Sequence, residues 1–276
     1  MAKKMGRAVK VTIWGSELYR SSNSKRRKMT EAFIYADAIQ MASAQMKEDF
    51  LKVFPSVERK IHLLLYGSAQ LGLLREMTEG RHAAVENLIS PDTYGKTVLC
   101  LGYNAVKAQQ HGLMLHAVAQ LPEEMKRNLF LLLPLTYGAD DKYKQHVIDE
   151  ARSTGVKYQA FTERLTTEEV LTLRLKTDIA VNIQDSDAFA GSIREHIMAM
   201  NLLVVGDWLP YQILDDNGIY VKRTTKVDLR DNILWAIENY VKLQSKLRDN
   251  QQKIFDLCSW PSVAKQWVSL YQSMVR

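Results

Sequence analysis

From residue 96 onward, short continuous apolar runs take turns with segments whose apolar residues recur at helical spacing. "KTVLCLGY" (96–103) is an apolar run closed by Gly102, the pattern of a strand buried on both faces. "VKAQQHGLMLHAVAQL" (106–121) predicts a helix with Leu113, Ala117 and Leu121 on one side and Pro122 as its stop. "LFLLLPLTYG" (129–138) is a second buried strand. The helix over "DDKYKQHVIDEARSTG" opens on acidic residues, which suit the positive end of the dipole, and closes on Gly155. "VKYQAF" (156–161) alternates as a third strand, and the helix of "TTEEVLTLRLKT" (166–177) begins with Thr166 and Glu169 at capping-box spacing. "DIAVNI" (178–183) is a fourth strand, and a turn and helix lead to a fifth, "NLLVVGDW" (201–208).

Strand and helix in strict repetition predict crossover units, hence an α/β fold with a parallel sheet covered on both faces. Such sheets bind ligands beyond the carboxyl ends of their strands. That singles out four loops, 102–107, 136–140, 184–192 and 206–211.

The first 90 residues are less regular. "VKVTIWGSELYR" (9–20) and "KIHLLLYGSA" (60–69) read as strands ending in glycine turns. Between them, "RKMTEAFIYADAIQMAS" (27–43) reads as a helix and a short strand, and "AQMKEDFLKVF" as a helix. These are few strands for a separate sheet. Residues 78–95, polar with Pro91 and Gly95, form the expected linker, and from Val227 the chain is almost wholly helical, broken at Trp260-Pro261. The expected division is an N-terminal part (1–88), a second α/β part (89–248), and terminal helices (249–276) that cross back over the first.

At 46% hydrophobic and 25% charged, the 276 residues have the composition of a globular protein. No apolar run reaches the roughly 20 residues of a membrane span, and "MAKKMGRAVK" lacks the apolar core of a secretory signal. Cys100 and Cys258 offer neither a disulfide framework nor metal-ligand spacing, so a reducing cytoplasm is expected. The net charge of +6 gathers partly in "SKRRKM" (24–29). Together with Arg20 this run reads first as a solvated face and second as a contact for a membrane surface or lipid diphosphate. No nucleic-acid-binding signature accompanies it.

The candidate chemistry lies in "DSDAFAGSIREHIMAMN" (185–201), where Asp187 and Glu195 flank a turn of small residues before a helix. Two readings are open. Ser192 and Glu195 suit a capping box, an ordinary way to begin a helix. The free N–H groups of the same turn suit a bound anion, with Glu195 accepting hydroxyls from a ribose.

This stretch resembles the donor-nucleotide motif of the GT-B retaining glycosyltransferases, in particular glycosyltransferase family 4. Asp187 and Glu195 match its two acidic residues, Phe189-Ala190 its aromatic and Gly, Met198-Ala199 its Ala-Met pair, and Leu203-Val204-Val205 its apolar strand. Four further pieces keep family order: "WGSELY" (14–19), "YADAIQMASAQMKEDF", "KIHLLLYGSAQ" and "CSWPSVAKQWVSLY". The chain departs from the family in beginning close to the "GSD"-like turn. It also carries Tyr103 where Arg is usual and Asp187 where Glu is usual, with Lys107 only near the family's Lys.

The resemblance implies a GT-B fold: a Rossmann-like parallel-sheet donor domain plus a partial Rossmann-like N-terminal acceptor domain. It implies transfer of a sugar from a nucleoside diphosphate sugar to a glycan or lipid-linked acceptor, in bacterial surface polysaccharide synthesis. No cofactor or metal is expected, with cytoplasmic activity at or near the inner face of the membrane. Asp187 and Glu195 would be catalytic, Asp187 touching the sugar and Glu195 the ribose. Gly102, Tyr103, Lys107, Tyr137, Gly138, Ala190, Gly191, Ser192 and Glu195 would bind the donor, and Gly15, Ser16 and Glu17 would lie on the acceptor side. The Tyr137-Gly138 turn also resembles that of bacterial lipid-linked fucosamine transferases.

Plainer readings stand beside these. "DSD" (185–187) has the letters of a metal motif but precedes the wrong element. Lys107 and His111, expected one turn apart on one helix, read first as exposed residues, Trp208 as core or rim, and the other histidines as structural or surface residues. For the whole chain the rival reading is a non-catalytic or partner-dependent protein, since absent acceptor-domain strands would leave sheet edges for a second subunit or a second copy.

Overall fold

Among the described residues every strand pairing is parallel, in two sheets of three and six strands. The structure is a computed structural model and describes residues 6–275, apart from the side chain of Ser16.

The first region runs β1 (Lys10–Thr12), α1 (Ser16–Tyr19), α2 (Asn23–Tyr35), β2 (Ala38–Met41), α3 (Ala44–Val53), β3 (Ile61–Leu63) and α4 (Ala69–Thr78). Its strands form a sheet of their own, in the order β1-β2-β3, where the sequence suggested too few for one. The central strand explains this: all four residues of β2 are buried, and α2 and α3 close one face with Phe33, Phe50 and Phe54. Those three rings meet at centroid distances of 4.8–5.1 Å. Burying each is worth several kcal/mol (about 3–5 lost on truncation to Ala).

The second region runs β4 (Thr97–Leu101), α5 (His111–Ala119), α6 (Glu123–Lys126), β5 (Leu129–Pro134), α7 (Asp141–Ser153), β6 (Lys157–Phe161), α8 (Thr167–Leu175), β7 (Ile179–Asn182), α9 (Gly191–Met198), β8 (Leu202–Gly206), α10 (Gln212–Asp216) and β9 (Lys222–Thr224). The order β6-β5-β4-β7-β8-β9 is doubly wound and reverses direction between β4 and β7. The five expected strands are present, four of them ending before the predicted segment does and β6 ending with it at Phe161. The sixth, β9, escapes sequence reading because Lys-Arg-Thr shows no apolar alternation. The expected capping box forms at α8, where Thr166 and Glu169 satisfy each other's backbone N–H.

One predicted helix is corrected. Residues 106–121 do not form a continuous helix: a short 3-10 turn spans Lys107–Gln109, Gln110 takes φ 60°, and α5 starts only at His111. Lys107 and His111 are therefore not one turn apart on one helix. Long-range bonds hold this irregular path, since Gln109 Nε2 donates to Gln184 Oε1 (2.8 Å) and Gln110 Nε2 to the Ile183 carbonyl.

The chain closes with α11 (Leu229–Asn239), α12 (Gln244–Cys258) and α13 (Trp260–Met274). The last of these packs on the first region. Trp267 is buried and donates its indole N–H to the Leu65 carbonyl (2.8 Å), while Val263, Trp267 and Leu270 pack on Ala38. Among the described residues no helix is long and apolar enough to cross a membrane.

Candidate functional site

The reversal of strand order between β4 and β7 opens a crevice at their carboxyl ends, the ligand position of doubly wound sheets. A cleft of about 440 Å³ occupies it. Six of the predicted donor residues line it together: Tyr103 after β4, Tyr137 after β5, and Ala190, Gly191, Ser192 and Glu195 at the start of α9. They come from segments up to 92 positions apart (Tyr103 to Glu195), joined only by parallel pairing of β4 with β5 and β7. Tyr103 donates its hydroxyl to Gln184 Oε1 (3.0 Å), and burial, aided by the Asp187 charge, pushes its phenol up to about 12. It stays a neutral hydrogen-bonding group at physiological pH.

At the start of α9 the capping-box reading is overturned. The helix begins at Gly191, its N-cap is Ala190, and no side chain caps it. Ser192 lies inside the first turn, buried, with its hydroxyl Oγ unpartnered. A capping hydroxyl must precede the first helical residue, so Ser192 is two residues too late. Uncapped N–H groups, the positive end of the dipole and an unused hydroxyl thus face one cleft, the makings of an anion site. Phe189, buried just before it, holds φ 67°. That left-handed conformation costs a non-glycine residue of order 1–3 kcal/mol and is characteristic of functional turns.

Glu195 does not reach back to a cap. Its Oε2 accepts from Arg174 Nε at 3.3 Å, in a pair whose side chains are 13% and 5% exposed. Arg174 lines the same cleft from the end of α8, and sequence reading missed it. A signal existed: three residues after Leu171 and four after Val170, it sits on a helix face the apolar period assigns to the interior.

Asp187 stands behind this turn and does not line the cleft. Its Oδ2 accepts from the Ala190 N–H (2.9 Å) and from the Tyr211 hydroxyl, which in turn accepts from Asn182 Nδ2 (3.0 Å). Tyr211 is fully buried, and burial with the nearby carboxylate holds its phenol well above the usual range. The other acidic residue of "DSD", Asp185, pairs with Lys226 at 3.6 Å. Among the described residues no three His, Cys, Asp or Glu side chains gather as a metal-binding group.

The remaining predicted residues serve the frame. Gly102 (φ 70°) and Gly138 (φ 100°) line no part of the cleft. A Cβ at Gly138 would lie 2.3 Å from Val106 Cγ2, so glycine is what lets the loop after β5 pack against the loop after β4. Lys107 is exposed, its ammonium 5.6 Å from the Tyr143 ring. His111 is buried against the Tyr143 hydroxyl (3.3 Å), and burial lowers its pKa to about 4. Trp208, half-buried, donates to the Gln184 carbonyl (2.9 Å) as a rim residue.

On the N-terminal side, Gly15 (φ 99°) brings its turn so close that a Cβ would lie 2.5 Å from that of Ala188. Glu17 accepts from the Trp14 N–H (3.1 Å), and Ser16 opens α1. Arg20 is exposed, as expected, and also donates to the Ser186 hydroxyl (2.8 Å) and carbonyl (2.6 Å). The two sheets thus meet at the 185–190 turn.

No protein-family model and no curated protein sequence matches the chain. Solved structures do. Anabaena HepE in complex with UDP superposes with a TM-score of 0.75 at 14% identity, over 99% of this chain and 74% of that one. The trehalose-phosphate synthase of Burkholderia xenovorans, in complex with glucose-6-phosphate, gives 0.75 at 10% identity, over 99% and 70%. These neighbours are GT-B glycosyltransferases. The fold is GT-B. The N-terminal domain of Candida albicans trehalose-6-phosphate phosphatase matches at 0.70 and 12% identity, over 97% of this chain and 65% of that one. The chain therefore spans about two thirds to three quarters of the length of these neighbours. At these identities the likeness concerns the fold.

Proposed function

We propose that this chain is a glycosyltransferase that moves a sugar from a nucleoside diphosphate sugar to a hydroxyl of a glycan or lipid-linked acceptor. The observation that carries this reading is the start of α9, uncapped, with the buried Ser192 hydroxyl unpartnered in a cleft it shares with Glu195. The donor diphosphate lies on the N–H groups of Gly191 and Ser192 and on that hydroxyl. The ribose hydroxyls donate to Glu195, which Arg174 holds in place, and Tyr103 and Tyr137 flank the nucleotide. As the glycosidic bond breaks, negative charge builds on the leaving diphosphate, and the fixed helix dipole and hydroxyl stabilise it without reorganising. Asp187 acts through Ala190, whose N–H it accepts, and so sets the geometry of the turn. Retention of configuration, independence of metal and other cofactors, and a place in surface polysaccharide synthesis at the inner membrane face are the family expectations that complete the proposal.

Calorimetric titration of UDP, GDP and dTDP tests it. One of them binds at about millimolar affinity or better, and Glu195→Ala abolishes that binding. Failure of all three to bind refutes the donor site.

A second reading, a transferase that needs a partner, is favoured by the small sheet. With only three strands, β1 and β3 are both edges, and Ile34, Tyr35 and Leu63 nearby are exposed. Nucleotide binding without hydrolysis of any of a panel of nucleotide sugars supports this second reading.

A further inference from the structure

The loop after β4 meets the end of β7 through a buried pair of amides. Gln109 and Gln184 are each 1% exposed, and Gln109 Nε2 donates to Gln184 Oε1 at 2.8 Å. The same Gln184 oxygen also accepts the Tyr103 hydroxyl at 3.0 Å. Each amide leaves its other end bare: Gln109 Oε1 and Gln184 Nε2 are buried without a partner. A buried amide end left unpaired lowers stability, and an apolar pair of the same shape is nearly neutral or better. Stability therefore does not account for two glutamines here.

Nor is the pair needed to tie the two segments together. The Asp185 N–H donates to the Ala108 carbonyl (2.9 Å), the Gly102 N–H to the Val181 carbonyl (3.0 Å), and Gln110 Nε2 to the Ile183 carbonyl. These bonds hold the loop on the end of β7 without any side chain at 184. What Gln184 adds is the place of one hydroxyl. Its backbone is pinned by Trp208, which donates its indole N–H to the Gln184 carbonyl (2.9 Å). Tyr103 is a permanent donor to the amide oxygen, because burial keeps its phenol protonated. That tyrosine lines the cleft together with Ala190, Gly191 and Ser192.

We propose that Gln184 is a positioning residue of this cleft: its Oε1 fixes the Tyr103 hydroxyl, and with it the part of the cleft wall that Tyr103 forms, while adding nothing to stability. A ring anchored by its hydroxyl is ordered before a ligand arrives, so binding does not have to supply that ordering. An apolar residue at 184 would fill the same space but release the phenol of the half-buried Tyr103 to water. The role rests on the donor reading only for what the cleft holds.

Calorimetry and urea unfolding on the full chain test this role in a cycle of Tyr103→Phe, Gln184→Leu and the double variant, titrated with whichever of UDP, GDP and dTDP binds wild type. Each single variant lowers affinity about tenfold. The double variant also loses about tenfold rather than about a hundredfold, because both substitutions break one bond. In Gln109→Leu/Gln184→Leu, which removes both bare amide ends, the unfolding midpoint does not fall although affinity does. Gln184→Glu keeps an acceptor oxygen at that place. It binds within about threefold of wild type at about pH 5, where burial holds its carboxyl neutral, and Gln184→Leu does not. Tyr103→Phe removes one hydroxyl from a half-buried ring, so it folds even if a Gln184 variant does not. Undiminished affinity in either single variant, or an additive loss in the double, overturns the role. A lower unfolding midpoint or loss of folding in Gln109→Leu/Gln184→Leu makes the pair structural and overturns it as well. If wild type binds no nucleotide, the donor reading falls on its own. Hydrogen exchange at residues 102–106 then decides the anchor, faster in Gln184→Leu if Gln184 holds Tyr103 and unchanged if it does not.

Discussion

Arg174 and Glu195 form an ion pair in the cleft between β4 and β7, Nε to Oε2 at 3.3 Å, from two helices with the two residues 21 positions apart in the chain. Both are nearly buried, so the pair gains less than its Coulomb energy suggests, and loss of one partner strands the other in a poor environment. Glu195→Ala and Arg174→Leu each cost about 3–5 kcal/mol in urea unfolding. The double variant Arg174→Leu/Glu195→Leu recovers most of that stability but not nucleotide binding. Recovery of binding in the double variant would remove Glu195 from the site.

Tyr211→Phe deletes only the hydroxyl that joins Asn182 to Asp187. The Asp187 carboxylate then loses one of its two partners, and unfolding free energy drops by about 1–3 kcal/mol. Because the same carboxylate oxygen accepts from the Ala190 N–H, the turn before α9 loosens and nucleotide affinity falls. Hydrogen exchange at residues 187–192 reports the loosening, and unchanged protection there refutes the link.

Gly138→Ala places a Cβ at φ 100° and 2.3 Å from Val106 Cγ2. The strained backbone alone costs about 1–3 kcal/mol, and the overlap pushes the 103–110 loop away from Tyr137. The melting temperature drops and Tyr103 leaves the cleft wall. An unaltered melting temperature would mean that the two loops do not pack as described.

His111 supplies a pH dependence. Burial lowers its pKa from 6.5 to about 4, so over that range the unfolded chain binds the proton more readily than the folded one. Stability is undiminished above about pH 6.5 and falls as the pH drops toward 4, by roughly 3 kcal/mol in all. His196, lowered for the same reason with the Arg174 charge adding to it, works in the same direction. His111→Gln flattens the acid limb of the stability curve; an equally steep limb would place the titration elsewhere.

The sequence by itself determined the alternation of elements in the larger sheet, because buried parallel strands and amphipathic helices are written in local apolar periods. The capping box of Thr166 and Glu169 was legible for the same reason: its two halves are three residues apart. The stretch 185–201 was also legible as a candidate site, through its small residues and spacing. Only the tertiary structure decided what its side chains do. Ser192 and Glu195 have the same spacing as Thr166 and Glu169, yet Arg174 takes the Glu195 carboxylate and leaves the Ser192 hydroxyl unused. Likewise Asp187 is turned inward by Tyr211, Gln110 breaks a well-patterned helix to reach Ile183, and β9 exists because β8 offers it an edge. In each case the deciding partner lies distant in sequence, and local periodicity carries no record of it.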